Sequence, residues 1–538
     1  MIRRDMLLPT LHRVLMVAAL VILFAYLLIY GVYAGNLIAF PFDYDQGEGF
    51  ELVDTILFSR GEFPYKDTNL YPFYSSNYPP LFHVIAAPFV WLFGPAYWYG
   101  RLLGFLGTLV TAGAIGLAVY REGRRPAIAL LAGLAFLASN TVYHIGPLFR
   151  QHMTMVMFET LAVVVLAHVS EIEDDRRRRR MMLVGLALIL AAGYTKQLAF
   201  ATALAVFAFL FIRNPRRSLV WGAGFALVGI GIFLWMNSAT EGQWWLQTIS
   251  ANVNEFIPAQ TIGLYRLWFS LHGFLVVPAL LMVAYELYFS RLSVYSLWLV
   301  AGIAVGVLSG KWGAGDSYFA TAIAGLCLVS GIFLSRFLNG DLAFPPTNFY
   351  ARLFVVPLRR GTPLVRAFSL LLVPLLYIGY GRAVLHLPTE GPIFTPAADL
   401  LGVSANALNG FYDSAGRIAG GYADIGHLTT PADVDAGWQI VERVREASGP
   451  VLSEEAAFTL LADKEVITNP TQLLNLANNG QFDSSQLVEM IENQAFGLVV
   501  LRAQFYPPDV LIAIAEHYRQ EEVIHMNGFA YLLLRPIP

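Results

Sequence analysis

Long apolar runs alternate with short polar turns from residue 14 to residue 387. A helix needs about 20 apolar residues to cross a bilayer. The runs that meet or approach that length are 14–34, 97–120, 127–145, 153–170, 181–196, 198–212, 218–237, 264–288, 293–310, 317–336 and 367–387, which predicts about 11 transmembrane helices. A further stretch, 79–94, is apolar but short and carries Pro88. The basic turns decide how to treat it. Arg121–Arg125, Arg176–Arg180, Arg213–Arg217 and Arg352–Arg366 should all stay on the cytoplasmic side. They do so only if 79–94 lies in the interface and does not span. The N-terminus is then inside, and the first outer loop runs over 35–96.

Within that loop, Phe50, Val53, Ile56 and Leu57 share one face of a helix over 48–59. This predicts an amphipathic helix lying on the membrane, with Glu51 and Asp54 facing away from it. The first apolar run, Val14 to Val32, follows Arg3, Arg4 and Arg13 and exceeds the roughly 7–15 residues of a signal-peptide core. It reads as an uncleaved first membrane helix. Past residue 387 the pattern changes. A Pro/Gly-rich linker over 388–430 leads to a small α/β domain over 431–538. That domain has a helix over 432–447 and short strands at Pro450–Ser453, Glu465–Thr468 and Gly497–Arg502. A helix over 507–519 and a strand pair over 522–535 complete it, with parallel pairing expected among the short strands. The fold class is thus a polytopic α-helical membrane domain, 1–387, plus an extracytoplasmic α/β domain.

Composition agrees. Hydrophobic residues make up 57% of the 538 positions and charged ones 14%, against about 25% in soluble domains. A net charge of −3 gives no field for nucleic acid. The single cysteine, Cys327, excludes an internal disulfide and a cysteine-based metal site. No internal repeat of the kind that builds secondary transporters is visible.

Candidate chemistry gathers on the predicted outer face. Asp43, Asp45 and Glu48 lie in Phe42-Asp-Tyr-Asp-Gln-Gly-Glu-Gly49. Asp45 could cap the helix that follows, or one of the three could take a proton from an acceptor hydroxyl. Asp-x-Asp with a nearby Glu also admits a divalent cation, Mg2+ or Mn2+. No histidine or further acid stands at a ligand-like spacing, so no residue is assigned to a metal. Arg150, Lys196 and Lys311 occupy three separate outer turns, the arrangement a lipid phosphate would need. Glu159, in a span near Arg150, is a buried acid that could serve chemistry or pair with an arginine. His83, His144 and His152 lie near the same face and read as packing or interface histidines. Tyr65 and Tyr78 belong to an aromatic cluster that could line a groove.

These residues, in this order, resemble the GT-C superfamily of polytopic glycosyltransferases, in the bacterial branch of protein O-mannosyltransferases and the lipid A aminoarabinose transferase. The resemblance runs through Asp43-Tyr-Asp-Gln-Gly-Glu48, Ser59–Tyr65, Asn77-Tyr-Pro-Pro-Leu81, Gly100-Arg-Leu-Leu103, Leu148-Phe-Arg150, Tyr194-Thr-Lys-Gln197 and Lys311–Phe319. It implies a sugar on a polyprenyl phosphate as donor and a lipid, glycan or protein hydroxyl as acceptor, at the plasma or inner membrane. It carries the catalytic role onto Asp45. Gln46 stands where relatives have Glu, and His152 where many have Asp. Asp316 and Tyr318 join Gln46, Tyr65, Tyr78 and His152 as site-lining candidates. Two rivals share these cations: a flippase for a lipid-linked glycan, and a non-catalytic relative that only binds the lipid.

Overall fold

The computed structural model describes residues 4–345, 348–355, 362–408, 410–417 and 426–538. Of the basic loop 352–366, positions 356–361 lie outside the described residues. Helix α1 runs from Arg4 to Ala39, longer than its apolar core requires. The first loop then carries α2, Glu48–Ser59, and α3, Leu81–Phe93. Next come α4, Trp98–Gly123; α5, Pro126–Ala138; α6, Asn140–Ile145; α7, His152–Leu166; and α8, Asp175–Thr195. Helices α9, Phe200–Arg213, and α10, Pro215–Ala239, are separated by Asn214, whose side chain caps α10. The short α11, Gln243–Thr248, precedes α12, Pro258–Phe289, α13, Val294–Val305, and α14, Ala320–Asn339. A last long helix is Thr362–Ala383. Among the described residues six stretches, beginning at Leu7, Trp98, His152, Pro215, Pro258 and Asp316, are long and apolar enough to cross a bilayer unaided. Five shorter apolar helices, α3 among them, accompany these six.

Two predicted elements are corrected within the membrane domain. The run 127–145 is not one helix. Ser139 takes an extended conformation (φ −64°, ψ 131°) and its hydroxyl bonds His272 Nε2 at 2.9 Å, so the chain breaks between α5 and α6. Helix α2 is also not a free amphipathic helix on the membrane. Every residue from Glu48 to Ile56 is buried. Phe50 and Val53 pack on Tyr74 and on Ala456 of the C-terminal domain, while Glu51 and Asp54 turn inward toward His83 of α3. Covering both faces of α2 removes the reason for its acids to point into water.

The described part of the linker region holds regular elements that its Pro and Gly content does not suggest. Strands β1, His386–Pro388, and β2, Phe411–Asp413, pair antiparallel, with helix Phe394–Leu401 between them. Asp413 anchors this unit to α6 by accepting from Asn140 at 2.6 Å and facing His144 Nε2 at 2.7 Å. The C-terminal domain holds β3, Val451–Ser453; β4, Leu498–Leu501; β5, Tyr518–Met526; and β6, Phe529–Pro536. The sheet order is β3-β4-β6-β5. Only β3 and β4 are parallel; β6 pairs antiparallel with both β4 and β5. The predicted strand at Glu465–Thr468 does not form. That stretch leads into helix Pro470–Asn478, whose Asn469 cap also donates to Ser75 O of the first loop at 3.0 Å.

Candidate active site

The acidic stretch of the first loop divides its three carboxylates among three tasks. Glu48 is fully buried and pairs with Arg101 in a two-point contact, Nε to Oε1 at 3.0 Å and Nη2 to Oε2 at 2.8 Å. It also accepts from the backbone N–H of Tyr44, Asp45 and Phe149, at 3.0, 3.2 and 2.6 Å. Arg101 spends its other donors on the carbonyls of Leu37, Phe40 and Phe42. Burial alone would raise Glu48, but Arg101 and these donors more than reverse it, and the carboxyl ends below its ordinary range. This pair folds the loop and lines neither of the two cavities described below.

Asp43 ties the loop to the C-terminal domain. It accepts from Gly49 N–H, from Tyr97 OH at 3.1 Å and from Ala457 N–H at 3.0 Å. A Cβ on Gly49 would fall 2.5 Å from Asp43 Oδ1, so this approach requires glycine. Gly47 is explained the same way, because its Cβ would lie 2.0 Å from Arg150 Nη2. With Asp43, Asp45 and Glu48 on separate partners, these three do not form a metal site.

Asp45 is the acid of this stretch that lines a cavity. Arg150 donates to its Oδ2 from Nε at 2.7 Å and approaches it with Nη2 at 2.5 Å. Asp45 Oδ1 is buried without a hydrogen-bond partner among the described residues. Burial raises its pKa and Arg150 holds it back, leaving it above the ordinary Asp value. Arg150 reaches this position because Phe149 N–H is fixed on Glu48. Its Nη1 also contacts Glu51 Oε1 at 3.2 Å.

The opposite wall brings the predicted partners together. Lys196, at the C-terminal end of α8, donates to His152 Nε2 at 2.6 Å. Its ammonium sits 4.6 Å from the ring centre of Tyr78 and 5.9 Å from that of Tyr318, in cation–π contact. Asp45, Tyr78, Arg150, His152, Lys196, Asp316 and Tyr318 thus share one cavity. Asp316 accepts from Thr141 at 2.9 Å and from Arg417 at 2.5 Å. A second cavity of about 200 Å³ adjoins the first across Tyr78, Lys196 and Tyr318, and Lys311 lines it. Lys311 Nζ donates to Asn252 O at 3.0 Å, and burial lowers its pKa to about 8.

Other candidates have structural partners. Tyr65 stands behind the cavity, donating to Tyr78 O at 2.7 Å. Gln46 is fully buried and lines neither cavity, and both its amide atoms lack a hydrogen-bond partner among the described residues. Among the described residues Glu159 pairs with no arginine; it accepts from Thr202 and Thr321, each at 2.6 Å.

The sequence gives no chemical role to four residues here. Glu51, Asp54 and His83 come together with one ligand atom each inside 4.8 Å, a juxtaposition that sequence spacing does not show. Burial, partly offset by Arg150, raises Glu51 to about 7, and burial with the Glu51 charge raises Asp54 well above its ordinary range. Arg502, at the end of β4, is buried against Phe529, with its guanidinium 4.0 Å from the ring centre, and pairs with Glu455 at 2.8 Å. Its charge helps to lower the Asp45 pKa. The only signal for it was an arginine closing an apolar strand.

The fold of this integral membrane protein is a polytopic helical bundle with two helices in the first loop, an acid–arginine–lysine cavity and a small mixed C-terminal sheet. No protein-family model matches the sequence, and no curated protein matches it either. Among solved structures it is similar to ArnT from Cupriavidus metallidurans in the apo state (TM-score 0.56, 15% identity), over 95% of this chain and 97% of that one. The same ArnT bound to undecaprenyl phosphate matches with TM-score 0.54 and 14% identity, over 95% and 97% of the two chains. The apo oligosaccharyltransferase of Archaeoglobus fulgidus matches with TM-score 0.51 and 12% identity, over 94% of this chain and 73% of that one.

Proposed function

We propose that the protein transfers a hexosyl or pentosyl group from a polyprenyl-phosphate donor to an acceptor hydroxyl at the outer face of the membrane. One observation carries this reading: Asp45, Arg150 and Lys196, from three elements far apart in the chain, line a single cavity. Lys311 lines the next one. The ArnT match bound to undecaprenyl phosphate supports a lipid phosphate as the donor's leaving group.

In the reaction, Asp45 removes the acceptor proton as the acceptor oxygen forms its bond to the anomeric carbon. The bond from that carbon to the phosphate oxygen breaks, and polyprenyl phosphate leaves with the electron pair. A single displacement inverts the anomeric centre. Catalysis needs cations where the leaving charge develops. Lys196 and Lys311 are suited to this because neither forms an ion pair with a carboxylate among the described residues, and an incoming phosphate would offset the burial and the Arg150 charge that lower the Lys196 pKa well below its ordinary value. Arg150 aims Asp45 and adds positive charge to the same wall. A raised pKa makes Asp45 a better base than an exposed aspartate. A divalent cation, where one is needed, fits Glu51, Asp54 and His83 better than the Asp43–Asp45–Glu48 stretch.

Protein reconstituted in liposomes with radiolabelled polyprenyl-phosphate mannose, glucose and arabinose, offered separately, should release lipid phosphate and label an acceptor with at least one donor. Lipid scrambling between leaflets without turnover would favour the flippase instead.

A pH dependence follows from Lys311. The lysine is charged below about pH 8 and neutral above it. Donor capture, read as kcat/KM, should therefore fall as pH rises through about 8. Lys311→Arg, which stays charged, should remove that inflection.

A further inference from the structure

Glu51 and Asp54 stand one helical turn apart on α2, and His83 lies on the facing turn of α3. All three are buried, His83 completely. The hydrogen bonds settle what the imidazole presents to the acids. Thr55 Oγ1 gives its proton to Glu51 O at 2.7 Å. Only its lone pair is left for His83 Nδ1 at 3.2 Å, so Nδ1 carries the ring proton. Nε2 is then a bare lone pair. It is buried without a hydrogen-bond partner among the described residues and points at Glu51 Oε2, 3.3 Å away, and Asp54 Oδ2, 3.8 Å away.

One ligand atom from each of the three residues converges within 4.8 Å of the others. Both carboxylates are already oriented by neighbouring donors. Tyr74 OH donates to Asp54 Oδ1 at 2.8 Å, Ser76 Oγ donates to Asp54 Oδ2, and Gln151 donates to Glu51 Oε2 at 2.5 Å. Such second contacts hold ligands in place around a metal. Tetrahedral coordination with bonds of about 2.0–2.1 Å separates its ligands by roughly 3.3 Å. The imidazole–carboxylate distances of 3.3 and 3.8 Å sit close to that spacing. One nitrogen and two carboxylate oxygens suit a zinc-class ion better than magnesium, which prefers an all-oxygen octahedron.

We infer that Glu51, Asp54 and His83 bind one zinc-class divalent cation that clamps α2 to α3. Glu51 is shared: Oε2 faces the cation position and Oε1 holds Arg150, which in turn aims Asp45. The cation is therefore a positioning element one residue removed from the base. This holds whether or not the sugar-transfer reading is correct.

The test uses the full chain in detergent, stripped with a chelator and dialysed. Titration with Zn2+ should show one tight equivalent per chain, and His83→Ala and Asp54→Asn should each weaken it by more than about 100-fold. X-ray absorption of the zinc-loaded wild type guards against variants that fail to fold. It should show a single imidazole with carboxylate oxygens at about 2.0 Å. A wild type that takes up no tight equivalent would overturn the site. So would folded variants that bind as the wild type does, or a spectrum showing several imidazoles.

Discussion

Asp45→Asn is expected to lower kcat for sugar transfer by about 10²–10⁴-fold, the usual worth of a positioned base, with donor affinity changed only a few-fold. The amide oxygen can still accept from Arg150 Nε, so the cavity wall should survive the change. What is lost is the proton acceptor. Asp43 is a useful contrast because its carboxylate holds Gly49, Tyr97 and Ala457. Asp43→Asn should act mainly on the seating of the C-terminal domain, read as earlier thermal unfolding. If Asp45→Asn turned over at the wild-type rate, the base would have to lie elsewhere in the cavity.

The second large effect concerns folding. Arg101→Met leaves Glu48 as an uncompensated buried charge and strips three carbonyls, of Leu37, Phe40 and Phe42, of their donor. Breaking one side of a buried pair costs about 3–5 kcal/mol. Thermal unfolding in detergent should show a marked drop in the midpoint, with loss of transfer because the loop bearing Asp45 is no longer pinned. Adding Glu48→Gln should recover part of the loss, since it removes the orphaned charge. A double variant worse than Arg101→Met alone would mean that Glu48 acts through its backbone contacts and not through its charge.

These two predictions separate acids that are nearly adjacent in sequence. Asp43, Asp45 and Glu48 have the same chemistry and the same local composition, so no spacing argument could distinguish them. The resemblance to GT-C enzymes pointed to Asp45. The structure supplies the physical difference: Glu48 is saturated by Arg101 and three backbone donors, Asp43 is bound to the C-terminal domain, and Asp45 keeps one oxygen without a partner among the described residues, beside a cavity. Glu51 and Asp54 were misplaced for a related reason. Helical periodicity puts them opposite Phe50 and Val53, and a lone helix at a membrane surface would turn them to water. The fold covers that side with α3, and both acids are buried.

The C-terminal domain shows the same limit. Its helices and most of its strands were visible as short apolar runs between turns, but its purpose was not. Arg502 beside Asp45, Ala457 on Asp43, and Thr471 and Asn475 in the second cavity all depend on which surface of the sheet domain meets the first loop.

The sequence by itself determined that the chain is membrane-bound, roughly where its helices lie, and that one acid and three cations deserved to be considered together. Those features rest on hydrophobic length and on charge placed at helix ends, both local properties of the chain. Only the tertiary structure decided which carboxylate faces the cavity, that α5 and α6 break at Ser139, and that Glu51, Asp54 and His83 meet. Each of these depends on contacts between residues distant in sequence, where burial and the supply of hydrogen-bond donors differ from one side chain to the next.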